Sequence, residues 1–573
     1  MKRIFYILLI SMGLILNSCK DLLDLSPMDQ ISDPEFWKTD GDLELYVNRL
    51  YDNFTGWNLM GAGGTALLDA SSDIAISTGL FGTNRYRLDG VINIPATGGG
   101  WTWTNVRNVN YFFENADRVP NGGLKDQYVG EAYFLRAWFY FELLKQFGDL
   151  PIITKTLNPG DEELYGTRSS RTDVVNFMIS DLDMAISKMK KKSELAADRL
   201  NRDIASLFKA RVCLYEGTWE KYHQGTVFKG NSDGAAFLNQ AALAAKAVID
   251  GLNYSLVTGN TGKVYYELFN QIDYSKNTEV LFWKKYDKAA YGDGFGNQSW
   301  NHPNGSGITN EMMRMYLCSD GLPISLSPLY KGDLDIRQVV LNRDQRCVQT
   351  VMNPGDAITV KLNNDTTKFV TPMIAKAECP TAYESQKFRR PQLDPATGSY
   401  SDNMGFILFR YAEALLTYAE AKAELGQLTQ ADVDLTINKL RQRVGMPPMV
   451  LSSIATDPAW PDYGYSLPAY LQEIRRERIV ELFSEGHHLN DLMRWRAHNL
   501  IVGKRPTGAF YSDELKLVNS KLIANSSGYL DPYSGITTGP NGGWGFNPAK
   551  NYLMPLPTNE LTLNKNLKQN PGW

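Results

Sequence analysis

The densest run of reactive side chains is RRERIVELFSEGHHLNDLMRW, residues 475–495. Glu477, Glu481 and Glu485 recur at every fourth position, which places them on one face of a helix. His487 and Asp491 share that spacing if the helix continues through Gly486. Imidazole beside carboxylate is the chemistry of zinc binding or of proton transfer. A zinc site, however, needs three or four convergent ligands. Only two converge here, because His488 and His498 fall at other angles. Glu481 with Arg478, and Asp491 with Arg494, stand at helical ion-pair spacing. The run therefore reads as structural ion pairing, with no metal and no catalytic role.

A second chemistry is sugar recognition. The chain holds 12 Trp, 30 Tyr and 24 Phe, and an aromatic face stacks on the C–H face of a sugar while amides and guanidinium groups take its hydroxyls. Trp101 and Trp103 follow Gly98-Gly99-Gly100. Tyr291, Phe295 and Trp300 lie in the stretch 284–308, which composition marks as one long loop, and a loop this long carries function. Arg85, Asn105, Asn297 and Gln298 are the nearby polar partners. Trp103, at a helix start, leans towards the core. A glycosidase would need two carboxyls facing across the bond. Asp69, Asp73, Asp287 and Asp293 are loop acids, but no spacing marks a pair. GAGGTA at 61–66 matches a loose dinucleotide pattern without the strand and helix that would confirm it. No cofactor is implied.

The third chemistry is lipidation. Lys2 and Arg3 precede an uncharged apolar stretch, 4–16, too short to span a bilayer and suited to a signal peptide. Leu16-Asn17-Ser18-Cys19 then reads as a lipoprotein box, with cleavage before Cys19 and acyl chains on that residue. Two or three chains hold a protein stably to a membrane. Residues 1–18 are expected to be the signal peptide and 19–40 a tether. Asn17 departs from the small residue usual at its place.

Around these sites the sequence must build a scaffold. Net charge is −4, which argues against nucleic acid. Cys213, Cys318, Cys347 and Cys379 show no CxxC spacing, which excludes a zinc ribbon and a dense disulfide framework but leaves room for one disulfide. Apolar periodicity predicts helices over 41–54, 103–118, 127–147, 172–190, 201–215 with Asn201 as cap, 237–249 with Gly251 as a left-handed terminator, 411–425, 432–444 and 468–496. Each has one apolar face and a short link, so they should stack as antiparallel pairs of tetratricopeptide-like length. Residues 253–405 and 504–573 are loop-rich. The fold class is mostly α, with a loop-rich, ligand-facing region.

Several blocks together resemble the SusD/RagB family of outer-membrane nutrient-binding lipoproteins. They are CKDLLDLSP, FWKTDGDLELYVNRLYDNF, VRNVNYFFENAD, EAYFLRAWFYFELLKQFGDLPII, EMMRMYLCSDGLPI, FRYAEALLTYAEAKAELG, the run 475–495, and YLMPLPTNELTLNKNLKQNPGW. The resemblance implies four tetratricopeptide-like helix pairs. It divides 41–573 into an N-terminal part, about 41–252, and a C-terminal part, about 253–573. It implies a protein anchored at the outer membrane facing the exterior, which binds oligosaccharide without catalysis and serves a SusC-like TonB-dependent transporter. Trp101, Tyr291 and Trp300 fall where starch-binding members carry stacking aromatics, with Arg85 and Asn105 as polar partners. A surface glycoside hydrolase, and an assembly scaffold or peptide-binding lipoprotein, are the alternatives.

Overall fold

The computed structural model describes residues 36–57, 69–70, 72–77, 86–287, 305–374, 378–393, 403–535 and 539–573. Cys19 and the leader lie outside them, as does the 61–66 glycine stretch.

The scaffold is helical. The main helices are α1 (Asp40–Tyr51), α2 (Thr104–Ala116), α3 (Lys125–Phe147), α4 (Arg171–Lys188), α5 (Arg202–Tyr222), α6 (Ala235–Asp250), α7 (Tyr411–Glu424), α8 (Ala469–Leu482) and α9 (His488–Arg494). They stack in a series: α2 on α3, α3 on α4, α4 on α5, α5 on α6, α6 on α7 and α7 on α8. Asn201 caps α5 as its position predicts, its Oδ1 accepting from the N–H groups of Asp203 (3.0 Å) and Ile204 (3.2 Å). Thr39 and Asp42 form a capping box at the start of α1, which sets that start one residue before the apolar pattern does.

α3 is apolar nearly all round because it is covered on nearly every side. Phe134 and Trp138 pack with Phe54, Phe208 and Phe409, so segments far apart in sequence share one core. Three two-pronged arginine–carboxylate pairs stitch successive helices: Arg136 with Asp181 (α3–α4), Arg171 with Glu216 (α4–α5) and Arg211 with Glu413 (α5–α7), all at 2.6–2.8 Å. The fork of a guanidinium matches a carboxylate in one geometry, which fixes the register of the stack as well as adding energy.

The 253–405 region carries short strands and single helical turns. β1 (Ala75–Ser77) pairs antiparallel with β3 (Ser306–Ile308), β2 (Val280–Lys284) with β6 (Phe406–Arg410), and β4 (Ala357–Val360) with β5 (Thr366–Lys368). The β2–β6 ribbon leads directly into α7.

Three expectations need correction. Gly251 is not the left-handed residue after α6: its φ is −63°, and Leu252 takes φ +55° instead. Nothing in the structure explains a leucine there. The helix expected over 432–444 is two, Gln430–Leu435 and Ile437–Arg443. They part at Thr436, whose hydroxyl donates to the Asp432 carbonyl (2.6 Å) in competition with the helix ladder. The helix expected over 468–496 ends at Leu482. Ser484 (φ +62°) and Gly486 (φ +79°) turn the chain before α9 begins, so the helix does not continue through Gly486; His487 caps α9, and its carbonyl accepts the Asp491 N–H at 3.0 Å.

The break lets Glu485 turn inward to Arg410 and Lys387 at 2.7–2.8 Å. Glu481 pairs not with Arg478 but with Arg346, Arg410 and Arg443 at 2.7–3.0 Å. Arg478 pairs with Asp491 (2.9 Å), and Asp491 also takes Arg494 (2.8 Å), as its spacing predicts. Structural ion pairing is thus the role of this run. Its partners come from across the sequence, where helical spacing does not look.

Candidate functional site

The described residues form two clefts of a size to take a ligand. The first is a cavity of about 720 Å³ between the end of α1, residues 196–199 and the end of β2. Tyr51, Trp57, Arg199, Lys284, Tyr286 and Asp287 are among its walls. Arg199 is held by Glu131 (2.7 and 2.8 Å), Glu44 (3.0 Å) and Asn48 (2.9 Å), so its guanidinium is oriented in advance. Lys284 Nζ lies 3.4 Å from the carbonyls of Asp52 and Phe54, at the C-terminus of α1. Its burial lowers its pKa. Trp57 Nε1 donates to the Met404 carbonyl (2.7 Å), which fixes the indole.

The second cleft, about 560 Å³, lies between the start of α2, residues 151–166 and the C-terminal helix Thr558–Leu563. Trp101, Trp103, Arg107, Lys155, Tyr165 and Leu563 are among its walls. Trp101 meets Trp103 edge-on at 5.4 Å and Phe147 at 5.0 Å between centroids, and is only 8% exposed. Trp103 is half-buried, edge-on to Tyr140 at 5.8 Å. Tyr165 is 50% exposed. Lys155 and Glu163 pair across the rim at 2.6 Å, which lowers the Glu163 pKa. Arg107 donates to the Leu157 carbonyl and holds the rim in place.

Asn105 lines neither cleft. Its Nδ2 donates to Asn53 Oδ1 (2.9 Å), which ties α2 to the end of α1. Of the residues read from sequence as ligand contacts, the structure describes Trp101 and Asn105. Arg85, Tyr291, Phe295 and Trp300, with Asn297 and Gln298, lie outside the described residues. The expected order of the two tryptophans is reversed: Trp101 is the more buried and Trp103 the more open. The reason is that Trp101 wedges against the end of α3 at Phe147, whereas Trp103 begins α2 at the cleft edge. Tyr165, Tyr286 and Arg199 were missed. Tyr165, beside Gly166 in a polar stretch, gave a signal of the same kind as Trp101.

The four cysteines are buried free thiols. Burial raises the pKa of Cys213 and of Cys347 to about 12. Among the described residues, no group of three or more His, Cys, Asp or Glu side chains is placed to hold a metal, and no helix is long and apolar enough to cross a membrane.

Residues 264–573, more than half of the chain, match the family model described as the SusD family. The chain belongs to the SusD family. Residues 101–214, which include Trp101, Trp103 and Asn105, match a second model, described as starch-binding and associating with the outer membrane. SusD-like protein P38 of Formosa agariphila is 25% identical over 525 residues, covering 86% of this chain and 90% of that one. Among solved structures, a SusD-like carbohydrate binding protein from Bacteroides fragilis has a TM-score of 0.70 at 22% identity, over 93% of this chain and all of that one. A laminarin binding SusD-like protein has a TM-score of 0.54 at 19% identity, over 94% of this chain and all of that one. The SusD family is a carbohydrate-binding family, and its helical fold is the fold of this chain.

Proposed function

We propose that this protein is a lipid-anchored, cell-surface glycan receptor that passes oligosaccharide to a SusC-like TonB-dependent transporter and carries out no catalysis. Residues 1–18 direct export, Cys19 takes the acyl chains, and the stretch from Cys19 to the folded body forms the tether, which is shorter than 19–40 because Trp37 is already buried against Tyr46 and Phe112. The parts 41–252 and 253–573 together make the receptor body.

The observation that carries the reading is the aromatic wall of the second cleft, where Trp101, Trp103 and Tyr165 lie beside Arg107 and Lys155 within the segment matched to the starch-binding model. The half-open rings of Trp103 and Tyr165, bordered by fixed polar groups, suit a sugar, which offers C–H faces and hydroxyls together. Asn105 and Arg85 are further polar contacts in this reading, with Tyr291, Phe295 and Trp300 as further stacking rings.

The test is a soluble form beginning at residue 20, titrated against a panel of polysaccharides, with released reducing ends measured in the same samples. Saturable binding without release supports a receptor. Release of reducing ends overturns it in favour of a hydrolase. Failure to bind any glycan, with a transporter barrel still copurifying, favours a scaffold.

A further inference from the structure

The ribbon β1–β3 is fixed to the helical body by one buried ionic cluster. His488, at the start of α9, directs Nε2 to Asp73 Oδ1 at 2.8 Å. Its backbone N–H donates to Asp69 Oδ1 at 3.2 Å, and the N–H of Ser484 also reaches Asp69. The Ser72 hydroxyl donates to the Asp69 carbonyl. On the other strand, Thr309 directs its hydroxyl to the Asp73 carbonyl (2.8 Å) and its N–H to the Ile74 carbonyl (3.1 Å). Two buried atoms, Asp69 Oδ2 and His488 Nδ1, have no partner among the described residues. Buried polar atoms are nearly always paired, so two orphans in one ionic cluster mark a place where the protonation state matters.

We propose that His488, Asp73 and Asp69 form a proton-controlled clasp that holds the β1–β3 ribbon firmly in mildly acidic medium and loosens it above neutrality. The clasp does not rest on the receptor reading.

The charged surroundings favour one direction. Asp491 lies on the same helix as His488, and His487 precedes it. Lys387 faces Asp69, while Glu311 and Tyr463 face Asp73. Burial lowers the His488 pKa, but Asp73 and Asp69 outweigh burial, and the net shift is upward. The stability from its charged form is complete below the unfolded value of about 6.5 and is lost as pH rises through the folded value. Burial raises Asp69 to about 6 and Glu311 to about 7. A carboxyl raised in the fold contributes most while protonated, and that contribution erodes as pH climbs to its folded value. All three groups therefore weaken the cluster as the medium becomes alkaline.

Hydrogen exchange tests this without any ligand. The amides to follow are Ile308, donating to the Tyr383 carbonyl, and Thr309, donating to Ile74. Rates at pH 6 and pH 8 are corrected for intrinsic exchange. The proposal expects protection of both amides in the wild type to be lower at pH 8 than at pH 6. In His488→Gln and in Asp73→Asn, protection should be low and equal at both values. The Tyr411 amide, bonded to the Glu279 carbonyl, reports that the body remains folded. If one variant loses that control, the other decides. PH-independent protection in the wild type, or full pH dependence in a folded variant, overturns the clasp. Neither result bears on glycan binding, so the two readings fail separately.

Discussion

Replacing Glu481 by Gln should cost about 3–5 kcal/mol, the usual loss when one partner of a buried ion pair is removed. Glu481 is fully buried and accepts from four guanidinium N–H groups: two of Arg443 (2.7 and 2.8 Å), one of Arg410 (2.7 Å) and one of Arg346 (3.0 Å). Charged hydrogen bonds contribute about 1.5–3 kcal/mol each, or roughly 6–12 in total. The carboxylate's desolvation offsets several kcal/mol of that. Glutamine keeps one acceptor, loses the charge and turns its amide donor towards arginines that have nothing to accept it. Those arginines also bind Glu279, Glu477 and Glu485, so the damage reaches β6, the helix Ile437–Arg443 and the turn before α9. The assay is urea unfolding followed by circular dichroism, read as a change in midpoint at unchanged slope. Glu514→Gln is the control, because Glu514 pairs with Arg337 on the surface and should cost about 0–1 kcal/mol. If Glu481→Gln is no worse than the control, the buried cluster does not hold the C-terminal half together.

Acid should unfold the protein through the same cluster. Burial raises the carboxyl pKa values of Glu481, Glu485 and Asp491, but their arginine partners outweigh it, and the net shift is downward. Their stabilisation is present above the unfolded values near 4 and is lost as pH falls towards the folded ones. Stability measured across pH 5 to 2 should therefore decline steeply, and less so in Glu481→Gln. Asn201→Ala should cost about 1 kcal/mol in the same urea assay, because it leaves two N–H groups of α5 uncapped. The thiols of Cys213 and Cys347 should resist a thiol reagent at pH 8 in the native protein and react once urea unfolds it.

The helical body was legible because most of its helices had an apolar stripe with the right period, and Asn201 marked the start of α5. What local reading missed was decided at long range. Glu481 faces arginines 38 to 135 residues away in sequence, and no i,i+3 or i,i+4 rule finds them. The end of α8 depended on Glu485 being drawn inward, which sequence spacing does not reveal. In the candidate site, Trp101 and Trp103 stood out by residue type beside glycines and a helix start. Their relative exposure did not, because it depends on the end of α3 and on a C-terminal helix more than 400 residues away. The clasp at His488 was invisible for the same reason: Asp69 and Asp73 lie in a loop with no period to align them to α9.

The account's central claim is that ring stacking on the aromatic wall holds a glycan. The most direct measurement is calorimetric titration of the best-bound polysaccharide into the wild type and into a Trp101→Ala, Trp103→Ala double variant whose fold is checked by circular dichroism. Base–aromatic stacking costs about 1–3 kcal/mol when the ring is removed, and a sugar face should behave comparably, so affinity is predicted to fall at least fivefold in the folded variant. Unchanged affinity would contradict the claim and move the glycan away from this cleft.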